Sequence, residues 1–238
     1  MNLSVGEHPI IPITVIRTDR KKTASIKVVE GDVQVIVPST LSEAGINDLV
    51  QKKSKWIRQK LQLQESIKPV RPKEFVSGES FAYLGKNYRL KLVQGDSTGV
   101  KLKGGYFVLS IPESTALGDR VEFIKAQLIQ WYVKHADRRL KDKSDRYAEL
   151  VGVMHKSVTI KHYKSRWGGC SIDGDVYYNW RIIMAPHRVV DYVVVHELCH
   201  LKHHDHSRQF WKSVGSVIHD YRECREWLKV CGQGLRIG

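Results

Sequence analysis

The chain opens on short runs of β-branched apolar residues. ITVIRT (13–18), ASIKVVEG (24–31) and DVQVIVP (32–38) read as strands, with Gly31-Asp32 as the tight turn between the last two. From Ser42 to Gln64 the period becomes helical. Ile46, Leu49, Val50, Trp56, Ile57, Leu61 and Leu63 fall on an apolar face, and Lys52, Lys53, Lys55, Arg58 and Lys60 on the solvated one. SIKPVRPKEFVSGES then breaks the pattern with two prolines and a glycine and reads as a linker. FAYLGKNYRLKLV and VKLKGGYFVLSIP follow, each interrupted by turn residues, Gly85-Lys86-Asn87 and Gly104-Gly105. They predict four short antiparallel strands.

Gly118 to Leu150 reads as one long helix packed through Val121, Ile124, Leu128, Trp131, Tyr132, Leu140, Tyr147 and Leu150, ending at Val151-Gly152. Strand character returns in SVTIKHY and RWGGCSIDGDVYYNWRI, where Asp173-Gly174 is a hairpin signal. Pro186 precedes a helix from about Val189 to Lys202; a second starts near Ser207, which caps it, and a last covers about Tyr221 to Val230. No internal repeat or low-complexity segment is evident. The predicted class is α+β, with a β-rich N-terminal region over 1–115, carrying one helix at about 42–64, and a second domain over 116–238.

Of 238 residues, 42% are hydrophobic, enough for a substantial core. No run of about 18 apolar residues occurs, so no membrane partner is expected. The opening MNLSVGEHPIIPITVIRTDRKK has no secretory-signal pattern, and the expected location is cytoplasmic. Cys170, Cys199, Cys224 and Cys231 form no C-x-x-C pair, and Cys224 and Cys231 are two helical turns apart, too far for a bridge in one helix. Reduced thiols fit that location. The outlying quantity is charge: Lys+Arg total 39 against 25 Asp+Glu, a formal +14. Such excess suits an anionic partner, a nucleotide or a nucleic acid, or else an ordinary solvated basic surface. No run of five like charges marks a nucleic-acid tail.

The most specific chemistry lies in VVDYVVVHELCHLKHHDHSRQFW. Helical residues four apart differ by about 40° around the axis and ~6 Å along it, so the imidazoles of His196 and His200 converge on one ion. Glu197 stands beside the pair, where a carboxylate deprotonates a metal-activated water. Val193-Val194-Val195, Leu198 and Leu201 make this a buried helix, in which polar groups need partners. A hydrolytic zinc site takes three protein ligands. The candidates for the third are His203, His204, His206, Glu223 and Glu226. His203 lies about 10 Å further along a straight helix and His204 is rotated off its face. His206 follows the His204-Asp205 break and swings back over the helix end, so it is preferred; Glu223 on the next helix is the rival. Histidine ligation with a glutamate base favours zinc.

These residues carry a resemblance. The segment from Lys164 to Trp211 is similar to the core of the YgjP-like zinc metallopeptidases, relatives of the SprT-like metalloproteases. S-R-W-G-x-C-S, N-W-R, A-P, D-Y-V-V-x-H-E-L-x-H-L and H-S-x-x-F-W stand at Ser165–Ser171, Asn179–Arg181, Ala185-Pro186, Asp191–Leu201 and His206–Trp211. The resemblance implies a zincin-like C-terminal catalytic domain built on the HExxH helix. It also implies a zinc cofactor on His196, His200 and His206, and a peptide or protein substrate.

Arg166 and Arg181 flank the hairpin before the metal helix. They suit bidentate binding of a substrate carboxylate or phosphate, or a structural salt bridge, for instance to Asp191. Trp167, Trp180, Phe210 and Trp211 read as core aromatics. Asp191 orients a ligand imidazole or contacts the helix dipole. Cys199 reads as packing, and Tyr163, Tyr177 and Tyr178 are candidates to polarise a substrate oxygen. The leading function is a zinc-dependent metallopeptidase, a metalloendopeptidase with Glu197 as general base. The alternatives are a metal-dependent nucleotide phosphohydrolase and a nucleic-acid-associated protease or binding module. Against the phosphohydrolase, the sequence lacks a P-loop and a carboxylate-rich magnesium site.

Overall fold

A computed structural model describes residues 2–3, 11–21, 23–29, 32–66, 72–97 and 99–237. Backbone contacts divide the chain into two compact units, Met1–Pro69 and Val70–Gly238. No helix among the described residues is long and apolar enough to cross a membrane.

The first unit holds β1 (Asn2–Leu3), β2 (Ile11–Thr18), β3 (Ser25–Val29) and β4 (Asp32–Pro38), then α1 (Glu43–Lys52) and α2 (Ser54–Ser66). The sheet order is β1-β2-β4-β3, with β4 parallel to β2 and antiparallel to β3. Gly31 of the expected turn, and 67–71 of the expected linker, lie outside the described residues. The predicted single helix is two, separated at Lys53. Ser42 caps α1, its hydroxyl accepting from the Gly45 amide at 3.2 Å. Val33, Val35, Val37, Ile46, Val50 and Ile57 form the core of this unit, whereas Trp56 is exposed.

The second unit begins with β5 (Ser80–Tyr83), β6 (Lys86–Gln94), β7 (Val100–Lys103) and β8 (Tyr106–Ile111) in the order β5-β6-β8-β7. Here β8 runs parallel to β6, not antiparallel as the glycine turns suggested. The hairpin at Gly104-Gly105 folds β8 back between β6 and β7, so that β8 runs with β6 and against β7. This order and these directions repeat those of the first sheet. The pairs Ile26↔Val35 and Val28↔Val33 recur as Val100↔Leu109 and Leu102↔Phe107, and Pro38 and Pro112 follow at equivalent points. The chain therefore contains a repeated β-sheet unit that identity of residues conceals, because only apolar character and register are kept.

The sheet of β5–β8 sits against α3 (Arg120–Val151) in the same compact unit, so the contact boundary falls near residue 70 and not at 115. Tyr83, Phe107, Trp131 and Tyr132 meet edge-on there; the Tyr83 and Trp131 ring centres are 4.9 Å apart. Ile124, Leu128, Leu140 and Tyr147 are buried on α3, while Val121 and Leu150 face outward. Gly152 ends α3 at φ 70°, a left-handed cap.

A three-stranded sheet follows, β9 (Ser157–Lys161), β10 (Gly168–Cys170) and β11 (Asp175–Asn179), ordered β10-β11-β9. The β10–β11 pair is the predicted hairpin, and β10 is its free edge. A 3-10 turn, Trp180–Met184, leads to α4 (His187–Cys199), and α5 (Arg208–Val217) and α6 (Tyr221–Cys231) complete the unit. DYVVV is β-branched and would suit a strand by propensity alone. Val189, Val190, Val193, Val194, Val195 and Leu198 are all buried on α4, and burial outweighs that preference.

Candidate metal centre

α4 carries His196 and Glu197 in its last turn, with His200 at the cap. The helix stops at Cys199, earlier than the predicted Lys202. The amides of Leu201 and Lys202 tighten onto the carbonyls three residues back, Leu198 and Cys199, and His203 closes the last i−4 bond to Cys199. Lys202 donates from Nζ to the Val151 carbonyl at 2.6 Å. This early stop lets the chain reverse, and each residue of the next block has a part in the reversal. Asp205 accepts from the Ser207 amide at 3.2 Å, and Ser207 caps α5 by accepting from Phe210. His206 lies between them, presented back towards α4.

The imidazoles of His196, His200 and His206 surround one point. Their ring centres are 4.7 to 5.0 Å apart, and one nitrogen from each lies within 4.8 Å of the others. The Nε2 atoms of His196 and His206 are 3.1 Å apart. Tetrahedral zinc with Zn–N bonds of about 2.0–2.1 Å spaces its nitrogens by roughly 3.3 Å, so this donor set fits the ion. The tautomers agree. The His203 carbonyl accepts from His200 Nδ1 at 3.0 Å, which leaves Nε2 of His200 with a free lone pair. Tyr192 Oη stands 3.5 Å from His196 Nδ1. Burial first, then the neighbouring His200, His206 and Arg225, pushes His196 down to about 3, so its ring stays neutral.

Phe210 supports the triad from below, stacked on His200 at 4.4 Å and edge-on to His196 and His206. Trp211 stacks on His206 and on Tyr221. Both are thus core aromatics that brace the imidazoles.

Glu197 is buried, and desolvation pushes its carboxyl up to about 8 despite the opposing pull of Arg166. It lies directly against the backbone of β10, since a Cβ on Gly168 would meet Glu197 Cγ at 2.6 Å and Oε1 at 2.7 Å. The carboxylate, the triad, Tyr192 and all of β10 line one cleft of about 660 Å³. Cys170 faces the same cleft, its thiol raised by burial and by Glu197.

Other expected residues lie elsewhere. Glu223 pairs with Arg188 at 3.2 Å and Glu226 with Lys229, so neither joins the triad. His203 bonds Ser213 through Nε2 at 3.2 Å. Asp191 pairs with Lys143 on α3, not with an imidazole or with Arg166 or Arg181. Tyr178 is buried against Ser144, Tyr177 lies under Lys161 and Tyr163 under Arg166. The tyrosine that lines the cleft is Tyr192. Arg166 lines the cleft as well, whereas Arg181 lies outside it and donates to the Tyr163 carbonyl.

Two residues were missed. Gly168 makes room for Glu197. Asn179, buried on β11, donates from Nδ2 to the carbonyls of Tyr163 (2.9 Å) and Arg166 (3.1 Å) and accepts from Arg181. It pins the loop that brings Arg166 to the cleft. The Gly168-Gly169 pair was a visible signal of close backbone approach; the role of Asn179 had none.

Three imidazoles about one point, in an α+β unit with a buried carboxyl beside them, define a candidate mononuclear metal centre. The chain matches the YgjP-like metallopeptidase domain over residues 22–230, and it belongs to the YgjP-like family. No curated protein matches it. Among solved structures, the metallopeptidase zymogen of Pyrococcus abyssi abylysin aligns at 21% identity with a TM-score of 0.36, covering 41% of this chain and 96% of that one.

Proposed function

We propose that the protein is a zinc-dependent metalloendopeptidase with a zincin-like catalytic domain. His196, His200 and His206 hold the ion and Glu197 is the general base. The observation that carries this is the buried Glu197 carboxyl and the three imidazoles lining one cleft whose wall is a free sheet edge. When bound, zinc supplies Lewis acidity to a carbonyl oxygen and makes water acidic near neutral pH.

The remaining steps belong to the protein. A substrate strand pairs with the open edge of β10, which holds it by its main chain and so favours cleavage within a chain. Glu197 takes a proton from the attacking water and delivers it to the leaving amine nitrogen. Tyr192, whose hydroxyl burial pushes up to about 12, stays protonated and can donate a hydrogen bond in the cleft.

The test is cleavage of a fluorogenic peptide library by zinc-loaded protein, beside Glu197→Gln and a nucleotide panel. Peptide cleavage that vanishes in the variant supports the reading. Phosphate release from nucleotides with no peptide cut would replace it with phosphohydrolysis.

A further inference from the structure

Next to the metal cleft is a second cavity of about 290 Å³ that shares Arg166, Trp167 and Leu228 with it. Its wall bears five cations, Lys164, Arg166, Arg181, Lys229 and Arg236, and no carboxylate. Among the described residues only Lys229 of these stands in a salt bridge, with Glu226 at 2.5 Å, while Arg166 acts on the Glu197 carboxyl across the shared wall. The Arg181 guanidinium is spent on neutral oxygens, the Tyr163 carbonyl and, at 3.4 Å, Asn179 Oδ1. Its pKa is lowered by burial first and by the neighbouring Arg236 second. Lys164, Arg181 and Arg236 also line the adjoining hollow, which extends the positive field. Like charges in a recess repel, and an entering anion relieves that repulsion.

We propose that this cavity is a subsite for an acidic side chain of the polypeptide substrate, bound beside the scissile bond. The inference rests on the peptidase reading of the neighbouring cleft. At about 290 Å³ the cavity has room for a side chain that branches off a polypeptide lying in the neighbouring cleft. Position agrees, because residues 164–167 run directly into β10. A strand paired along that edge past Gly168 therefore brings a side chain to the cations. Chemistry agrees too, since two guanidinium forks match a carboxylate bidentately.

The test uses full-length Glu197→Gln protein with zinc. The probes are N-acetylated, C-amidated peptides that differ only in Glu against Gln or Asp against Asn at one position. Binding is followed by calorimetry and cleavage is run in parallel on the active protein. The acidic peptide should bind at least ten-fold tighter at one fixed position. Lys164→Gln and Arg236→Gln, both at exposed positions, should reduce that preference, and together abolish it. Arg236→Glu should turn it towards lysine. Equal binding of acid and amide, or a preference that survives both substitutions, overturns the subsite. Inorganic pyrophosphate that binds more tightly than the acidic peptide, and loses that binding in the same two substitutions, overturns the side-chain occupant. Acid-selective binding without cleavage retires the peptidase reading and leaves the subsite standing.

Discussion

Gly168 on β10 and Glu197 on α4 are packed so closely that no side chain fits between them: a Cβ at 168 would lie 2.6 Å from Glu197 Cγ and 2.7 Å from Cδ. The contact sets where the carboxyl stands relative to the triad. Gly168→Ala forces either the carboxyl or the strand to move by the better part of an ångström. Peptidase kcat/KM should fall about 10²-fold with zinc content retained, as expected for a misplaced base. Zinc-replete protein with unchanged turnover would remove Gly168 from the positioning of Glu197.

Glu197→Gln keeps the shape and removes the proposed base. Turnover should drop by about 10²–10⁴ while zinc stoichiometry, measured by atomic emission, stays at the wild-type value.

The same substitution isolates a pH effect in metal-free protein. Burial raises the folded-state pKa of Glu197 from 4.5 to about 8, so between those values the folded chain binds more protons than the unfolded one. This contribution to stability is complete below about pH 4.5 and is lost as pH rises towards 8, with a slope of at most ~1.4 kcal/mol per pH unit for one proton. Across pH 5–9 the unfolding midpoint of metal-free wild type should fall relative to that of metal-free Glu197→Gln. His196, whose pKa is lowered, acts in the opposite sense below pH 6.5, but it does so in both proteins and cancels in the comparison.

His206 is exposed on the loop after α4, so its truncation should cost the metal-free fold less than about 0.5 kcal/mol. Zinc affinity should nevertheless collapse, because two imidazoles are a poor zinc site. Chelator competition and zinc-induced rise in Tm would report this. A retained thermal shift in His206→Ala would exclude it as a ligand.

Tyr178 and Ser144 form a buried hydroxyl pair at 3.0 Å between β11 and α3. Tyr178→Phe leaves the Ser144 hydroxyl, which has no exposure, without its partner, and should cost about 1–3 kcal/mol in chemical denaturation.

Much of this was legible along the chain for local reasons. Periods of two and of 3.6 located most strands and helices, because each follows from backbone geometry and a buried face. The i, i+4 spacing put His196 and His200 on one side of a helix with Glu197 next to them, again a local consequence. The Asp173-Gly174 turn and the Ser207 cap were equally local. The long-range features were not legible in the same way. Strand direction in β5–β8 depended on β8, and not β7, taking the edge of β6. The recurrence of that sheet lay in register and not in identity. The end of α4 at Cys199, which a propensity pattern extends to Lys202, was set by a reversal that Asp205 and Ser207 stabilise together.

For the site, the metal motif could be read from five residues because one helical turn carries it. What surrounds that turn came from elements distant in sequence. Gly168 against Glu197, Phe210 beneath three imidazoles, Asn179 holding the Arg166 loop and five cations gathered beside the cleft are contacts across the fold. A periodic pattern says which face is buried but not what it is buried against. The candidate metal ligands could therefore be argued from spacing, while the space round them and its charge depended on packing.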